Sequence, residues 1–507
     1  MKLFLSDKIK DVDANTIKYE PISSLKLMDR AAVNCYKWIC ANVNLSKKIV
    51  VFAGVGNNGG DALVIARMLY NTKADVQVCF LNFSDKISPD CQQNLNVLSE
   101  LNIPIHYFDS FENIEAVNLS DSIIIDGIFG SGLSKPIVGW VGKIIERINN
   151  SNSTIVSIDT PSGLFGEDNS ANQKQNGAIV KATHTLTLEQ PKIAQLFAEN
   201  HCYVGKLHIV PIGLHARAKE EVESSFYFLD NLFVKSIIKE RSKFSHKGTY
   251  GHVIVIAGKY GMMGANILAT KAAYKTGCGL VTSQVPVKGV DVVQISVPEA
   301  LLFIDESDYI ITQISEEING YSAVLFGPGV GSKNNTKKAF QQLLSTATIP
   351  LVIDADGLNI LSENKALLDL LPKNSILTPH PKEFERLFGK FDDPFLRVLF
   401  MQNECVKRKI NIVYKGANTI IVTSTGSCFF NSTGNSGLAT GGSGDVLSGI
   451  VSSLLAQGYD YCHAMCAGVW IHGKSADIAV NDIAEHSVIA SDIINYLGKT
   501  IKSLIDE

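Results

Sequence analysis

Short apolar runs alternate along the chain with stretches in which apolar positions recur every three to four residues. The first pattern predicts strands and the second amphipathic helices. In the first half the predicted strands are Lys48–Phe52, Val76–Leu81, Ser122–Asp126, Thr154–Asp159, Thr183–Leu188 and Lys206–Val210. Each is rich in β-branched residues and bounded by Gly, Pro, Asn or Asp. Pro211–Lys219 leaves the pattern, and Ala216–Ser225 is charged and poor in apolar residues. The alternation restarts at Gly251–Ala257 and continues through a small-residue helix at Ala265–Thr276. Further strands are predicted at Leu280–Val285, Ala323–Phe326, Leu351–Ile353, Ser375–Leu377, Ile412–Tyr414 and Thr419–Thr423. Strand–helix alternation of this kind builds parallel α/β sheets. A chain of 507 residues exceeds one ordinary core. Two α/β domains are predicted, residues 1–218 and 225–507.

Composition narrows the functional classes. The chain is 46% hydrophobic and 19% charged, with a net charge of −4. Such a balance gives no general reason to expect nucleic acid or acidic membranes as partners, so anionic ligands must be held by local amides and a few lysines. The 10 cysteines form no CxxC pair, which fits a reducing compartment better than a secreted one. Cys462, His463, Cys466 and His472 invite a metal reading. However, Cys462 and Cys466 stand one helical turn apart in an apolar stretch with no second ligand pair, so buried small residues are the better reading. No signal peptide pattern and no apolar stretch of the ~20 residues needed for a membrane helix occurs. A cytoplasmic location is expected.

The first chemical constellation follows the strand ending at Phe52. Gly54-Val55-Gly56-Asn57-Asn58-Gly59-Gly60-Asp61 leads into the helical pattern Ala62–Leu69. A strand, a glycine loop and a helix together aim free amides and a positive dipole end at a phosphate. Asn57, Asn58 and Asp61 add what a phosphate cradle does not need: oxygens suited to a hard monovalent cation or to hydroxyls. Asp126 closes the next strand and opens Gly127-Ile128-Phe129-Gly130-Ser131-Gly132-Leu133-Ser134-Lys135-Pro136; Asp159 closes another and opens Thr160-Pro161-Ser162-Gly163. The carboxyl ends of parallel strands share one sheet edge, so these segments should converge.

GNNGGD (Gly56–Asp61), the IDGIFGSGL stretch and IDTPSG (Ile158–Gly163) together resemble the YjeF N-terminal family, the NAD(P)HX epimerases, over essentially residues 1–215. The resemblance implies a Rossmann-like three-layer α/β/α domain and a K⁺ held by Asn58, Asp126 and Ser162. It implies substrate contacts from Asn57, Asn58, Gly59, Gly60, Asp61, Gly130, Ser131, Gly132, Leu133, Ser134, Lys135, Pro136 and Asp159. Inverting a carbon that bears a hydroxyl beside a ring nitrogen needs an acid/base group near that hydroxyl. Asp126 and Asp159 are both candidates, with Lys135 assisting. The family also contains a lipoprotein-binding member, so a binding module is the alternative for this half.

The second constellation is Asn431–Gly449, a glycine-rich passage running into a helix predicted from Asp445. Free amides of Gly442–Asp445 can receive charge developing on a transferring phosphoryl group, and the Asp445 carboxylate can take a proton from a hydroxyl. The motif Gly442-Ser443-Gly444-Asp445 resembles the GxGD of the ribokinase-like superfamily, an α/β/α fold. Gly258–Ala265, Gly327–Gly331, Asp354–Asn359, Thr378–Glu383 and Tyr414–Ala417 resemble the ADP/ATP-dependent NAD(P)HX dehydratases within it, over roughly residues 225–500. The resemblance implies that Ala265, Gly329, His380 and Asp445 touch the hydrated substrate. It implies nucleotide contacts from Lys415, Gly416, Ala417, Asn418, Thr419 and Gly444. Two departures occur: GSGD replaces GTGD, and Asn435-Ser436-Gly437 replaces the more usual Asn-Pro-Gly, which loosens the turn without removing an amide.

These resemblances imply one function for the whole chain. The first domain interconverts the R and S epimers of hydrated NADH and NADPH. The second phosphorylates the hydroxyl of the S form with ADP, accompanied by Mg²⁺, so that phosphate rather than hydroxide leaves. ADP is expected over ATP because bacterial relatives use it, and a homo-oligomer is expected. The rival enzymatic reading is a small-molecule kinase of the hydroxyethylthiazole or hydroxymethylpyrimidine type, which leaves the first domain unexplained.

Overall fold

The computed structural model describes residues 1–506 apart from 113, 115 and 116. The chain divides into two compact units. One comprises Lys2–Ser224 together with Phe391–Arg397; the other comprises Met1, Ser225–Lys390 and Val398–Glu507. The division therefore differs from a single cut between 218 and 225. The short segment 391–397 lies in the second half of the sequence but packs into the first unit. There Asp393 accepts a hydrogen bond from the amide of Asn169 (2.9 Å) and Arg397 pairs with Glu199 (2.7 Å).

The first unit contains strands β1 (Lys2–Leu3), β2 (Ile49–Ala53), β3 (Val76–Leu81), β4 (Ile105–Phe108), β5 (Ile123–Gly127), β6 (Thr154–Ile158), β7 (His184–Leu188) and β8 (Lys206–Val210). β2 to β8 form an all-parallel sheet of order β4-β3-β2-β5-β6-β7-β8. Every residue of β2 is buried, because both faces of this central strand are covered. Ile49, Val51 and Ala53 pack with Cys35 and Ile39 of the helix Ser24–Asn42 and with Leu63 and Ala66 of the helix Asn57–Asn71. Val50 and Phe52 point the other way, onto Ile144, Ile145 and Ile148 of the helix Gly139–Asn149. The strand order reverses at β2, between β3 and β5, so a crevice opens at the carboxyl ends of β2 and β5. The edge strand β4, with Tyr107 exposed, has too little apolar alternation to be legible in the sequence.

The second unit carries β9 (Phe226–Phe228), β10 (His252–Ile256), β11 (Leu280–Val285), β12 (Leu301–Ile304), β13 (Ala323–Phe326), β14 (Leu351–Ile353), β15 (Ile376–Leu377), β16 (Asn411–Tyr414), β17 (Ile420–Val422) and β18 (Cys428–Phe430). Their order is β9-β18-β17-β16-β15-β14-β13-β10-β11-β12. Pairing is parallel except where β17 runs antiparallel to β16 and β18. One face of this sheet is covered by the helices Met263–Thr276, Ser443–Ala456, Tyr461–Ala479 and Ala490–Asp506, whose Ala269, Val446, Ile450, Ala467 and Ile493 share one core with Val253, Leu325 and Val352. These helices approach closely because small residues face each other: a methyl group added to Gly449 would collide with the Ala269 carbonyl. Among the described residues no helix is long and apolar enough to cross a membrane.

Helix starts differ from expectation in a consistent direction. Asn57–Asp61, read as loop, form the first turn of the helix Asn57–Asn71, and Asp445 sits three positions inside a helix that begins at Ser443. Glycine and asparagine lower helix propensity, yet both stretches cap a helix docked on its sheet, and tertiary packing overrides the local preference.

Candidate active sites

In the first unit a cavity of about 600 Å³ lies over the carboxyl ends of β2 and β5. Its wall includes Asn57, Asn58, Asp61, Gly130, Ser131, Gly132, Leu133, Ser134, Lys135 and Asp159 from the expected set. Gly59, Gly60 and Pro136 are not on that wall. The two glycines serve close packing instead. A side chain on Gly59 would strike the Gly54 carbonyl, and one on Gly60 would strike Met28.

Asp126 and Ser162 also lie off the cavity wall, beneath it. The fully buried Asp126 carboxylate accepts from Ser157 Oγ (2.7 Å), Ser162 N (2.9 Å), Ser162 Oγ (2.5 Å) and Ile128 N (3.4 Å). Burial pushes its pKa up and these four bonds oppose the shift. Asn58 donates through Nδ2 to the carbonyls of Phe129 (2.9 Å) and Ile158 (3.1 Å), while its buried Oδ1 has no hydrogen-bond partner among the described residues. Asn58 Nδ2 thus bridges the Phe129 and Ile158 carbonyls beside the Ser162–Asp126 pair, and Asn58 Oδ1 is the one acceptor of this group left unpaired among the described residues. An orphaned buried amide oxygen beside a carboxylate, a hydroxyl and backbone carbonyls fits a hard monovalent cation.

Asp159 leaves the end of β6 with a left-handed backbone (φ 65°). Its Oδ2 accepts from the Ser131 amide (3.1 Å), and its Oδ1 is bound by the ammonium of Lys192. Lys192 is buried and also contacts Thr187 Oγ1 and the carbonyls of Leu188 and Gln190. Burial raises the Asp159 pKa, but Lys192 and the Ser131 bonds outweigh it and hold the carboxyl below its ordinary value. Lys192 and Asp13, both on the cavity wall, went unrecognised in the sequence. The signal available for Lys192 was a lysine placed just after the apolar strand β7.

In the second unit a cavity of about 790 Å³ is lined by Asp354, His380, Glu383, Lys415, Gly416, Ala417, Thr419, Gly444 and Asp445, among others. Ala265, Gly329 and Asn418 are not on its wall. Ala265 and Gly329 lie together, since a methyl group built on Gly329 (φ 63°) would come within 3.1 Å of Ala265 Cβ.

Asp445 stands in the first turn of the helix Ser443–Ala456, whose cap Gly442 adopts φ 89°. The Ser443 amide donates weakly to Thr440 O (3.4 Å), whereas those of Gly444 and Asp445 meet no acceptor among the described residues. Burial, then Asp354, raise the Asp445 pKa to about 7 against the pull of Lys415. Lys415 Nζ lies 2.8 Å from Asp354 Oδ1 and 3.8 Å from Glu383 Oε2. Burial pulls the Lys415 ammonium down, but Asp354 and Glu383 more than compensate and hold it above its ordinary value. Asp354 precedes Ala355, a non-glycine residue at φ 49°, a strained geometry that fixes where the carboxylate points.

His380 caps the helix Pro381–Phe388: its Nδ1 accepts from the amides of Lys382 (3.1 Å) and Glu383 (3.4 Å), and Glu383 Oε2 accepts from the His380 amide (2.9 Å). Nε2 of His380 lies 3.4 Å from Glu383 Oε1, and burial followed by Lys415 lowers the imidazole pKa. The glycine-rich loop is fastened by residues that its own motif does not contain. Asp477 accepts from Gly434 N and Asn435 Nδ2, and Glu485 accepts from Ser436 N (2.7 Å) and Ser436 Oγ (2.6 Å). The expected loosening at Ser436 is therefore offset: its amide, which a proline would lack, is used.

Two Rossmann-like α/β units, each with a carboxyl-bearing cavity at the switch point or glycine-opened helix of its sheet, define a two-site α/β enzyme. The model of YjeF-related protein N-termini matches residues 24–194, and that of NAD(P)H-hydrate dehydratase matches residues 253–499. The bifunctional NAD(P)H-hydrate repair enzyme Nnr of Coxiella burnetii is 32% identical, covering 98% of this chain and 98% of its own. That of Dictyoglomus turgidum is 31% identical, covering 100% and 99%. A ribokinase-like superfamily protein from Enterococcus faecalis V583 is similar to the second unit's fold, with a TM-score of 0.50 and 26% identity over 56% of this chain and 98% of that one. The chain belongs to the family of bifunctional NAD(P)H-hydrate repair enzymes.

Proposed function

We propose that residues 2–224, with 391–397, epimerise hydrated NADH and NADPH, and that the second unit dehydrates the S epimer at the expense of ADP, releasing AMP and phosphate. The observation that carries this reading is Asp445: a carboxyl poised near neutrality beside two free helix-terminal amides on a cavity large enough for a dinucleotide's reactive end.

In the dehydratase, Lys415, Gly416, Ala417, Thr419 and Gly444 on the cavity wall would bind ADP with its Mg²⁺, with Asn418 beside them, while His380 would hold the hydrated ring, with Ala265 and Gly329 completing the substrate side from off the wall. Asp445 takes the hydroxyl proton as that oxygen attacks the terminal phosphorus, and the Gly444 and Asp445 amides receive the charge on the phosphoryl oxygens. The C–O bond then breaks, its electrons leave with phosphate, and the ring nitrogen's lone pair fills the gap. Loss of the neighbouring ring proton restores the reduced nicotinamide. Lys415 is held by Asp354 and Glu383, so it acts as an oriented charge.

In the epimerase, Asn58, Asp126 and Ser162 would hold K⁺, which supplies a fixed positive charge tying the Asn58 turn to the Phe129 and Ser162 loops. Asn57, Asp61, Gly130–Lys135 and Asp159 bind the substrate, with the exposed Lys135 reaching its phosphates at the rim. The 10 free cysteines support a reducing, cytoplasmic setting.

The test is incubation of mixed R and S hydrates with ADP or ATP, following nicotinamide absorbance and phosphate release. Complete conversion with one phosphate per reduced cofactor is expected. Stable phosphorylated product would favour a plain kinase, and arrest partway would leave the first unit without epimerase activity.

A further inference from the structure

The epimerase cavity is lined by four carboxyl groups, and three of them are unsuited to carrying a proton. Asp159 is bound by Lys192 and by the Ser131 amide. Glu189 accepts from the amides of Ile212 (2.9 Å) and Gly213 (3.1 Å) and from Lys219 (2.8 Å). Asp61 is buried in the first turns of the helix Asn57–Asn71, where burial followed by repulsion from Asp159 and Asp13 pushes its pKa well up, which disfavours the carboxylate needed to take a proton back. Asp126, the other carboxyl near the strand ends, lies off the wall and its oxygens are occupied. The fourth is Asp13, which projects from an element that none of the motifs contains, the helix Ser6–Tyr19. It lies on the cavity wall, half-buried, with no hydrogen-bond partner among the described residues.

Resting on the epimerase reading above, we propose that Asp13 is the catalytic carboxyl that protonates the departing hydroxyl of the hydrated nicotinamide ring and takes that proton back when water returns. Lys192 is a positioning residue: it keeps Asp159 a fixed anion next to the cation formed in between. The carbon–oxygen bond breaks with its electron pair going to oxygen, which receives the Asp13 proton and becomes water. The ring nitrogen's lone pair forms a C=N⁺ bond. Water then adds to the opposite face, the nitrogen regains its pair, and the Asp13 carboxylate removes the extra proton. Nothing is consumed, as an isomerisation requires.

The electrostatics agree with this division of labour. Burial is the largest influence on Asp13; Asp159 and Glu189 add to it and Lys192 opposes it, leaving its pKa at about 6. A group poised there can both give and accept a proton near neutrality. The charged groups facing it are Asp159, Lys192 and Glu189, with Asp61 and Lys10 on the same wall.

The test uses the full chain and separated hydrate epimers, with nucleotide omitted, following interconversion across pH 5–8 against the uncatalysed background. Asp13→Asn is expected to slow interconversion by about 10²–10⁴-fold, with dehydration of pure S hydrate unchanged and a melting temperature at pH 7–8 no lower than wild type, since the raised pKa of Asp13 costs stability there. Asp13→Glu is expected to retain activity with a displaced pH profile. Lys192→Met is expected to move to higher pH the limb on which activity falls as Asp13 ionises, because the ammonium that lowers Asp13 is gone. An Asp13→Asn protein with wild-type rate and profile would overturn the assignment. If Asp13→Asn does not fold, an Asp13→Glu profile identical to wild type would overturn it equally. Wild-type protein that leaves the epimers at the background rate would instead overturn the epimerase reading itself.

Discussion

The ammonium of Lys415 lies 2.8 Å from the Asp354 carboxylate, at the end of β14, and both face Asp445 across the same cavity. Asp354 therefore has two effects: it fixes Lys415, and its negative charge raises the Asp445 pKa. Asp354→Asn should move the rising limb of dehydratase kcat/KM to lower pH, since Asp445 then ionises more readily. It should also lower stability, by up to ~3–5 kcal/mol, because a largely buried ammonium loses its nearest partner. Urea denaturation and a pH–rate profile check both outcomes.

Asp445→Asn should reduce ADP-dependent dehydration by about 10²–10⁴-fold, the usual contribution of a positioned base. Its effect on folding should have the opposite sign at neutral pH. The folded-state pKa of about 7 stands above the unfolded value near 3.8, so folding gains from proton binding below the lower value and loses that gain as pH rises through the higher one. Above pH 7 the native carboxylate costs stability, to an upper limit of ~4 kcal/mol. Asp445→Asn, neutral throughout, should melt higher than wild type at pH 8 and no higher at pH 4. Calorimetry at the two pH values decides.

Occupancy of the cation place can be read without any turnover. KCl, but not LiCl at equal ionic strength, should raise the melting temperature of the full chain. Asn58→Ala, which removes the orphaned Oδ1, should abolish that difference. Equal shifts with both salts would exclude a size-selective site at Asn58, Asp126 and Ser162.

Two glycines of the same cavity region should respond differently to alanine. A methyl group on Gly59 meets the Gly54 backbone, whereas one on Gly132 meets nothing within 4 Å. Gly59→Ala should cost at least ~1–3 kcal/mol, and Gly132→Ala should leave the unfolding midpoint within ~0.5 kcal/mol of wild type. Matching midpoints would refute the close-packing account of Gly59.

Central strands were legible because burial on both faces writes a continuous apolar run, as in β2, β5 and β13. β4, β9, β12 and β18 were not: they are three or four residues long and stand at edges or antiparallel margins, where half-exposed positions such as Tyr107, Leu301 and Ile304 blur the pattern. In the sites, the glycine and carboxylate motifs marked the loops that meet the cavities, and Asp159, Lys415 and Asp445 are found on those walls. Asp13, Lys192, Asp477 and Glu485 escaped notice because each is a single polar residue on an element with no motif of its own. Only the tertiary fold brings them to the loops they serve. Asp126 shows the reverse limit: its place at a strand end was plain, but that its oxygens face inward depends on Ser157 and Ser162.

The seven residues Phe391–Arg397 belong to the first compact unit although they are encoded far beyond it. A gene divided after codon 224 would not yield the first unit whole. The amide of Asn169 would lose its acceptor on Asp393, and through Asn169 the turn around Phe165 and Asn172 would slacken near the Gly163 loop. Residues 1–224 produced alone should therefore unfold at a lower temperature than the same residues supplied with a peptide spanning 391–397, so that the stability of the first unit is written partly in the far half of the gene.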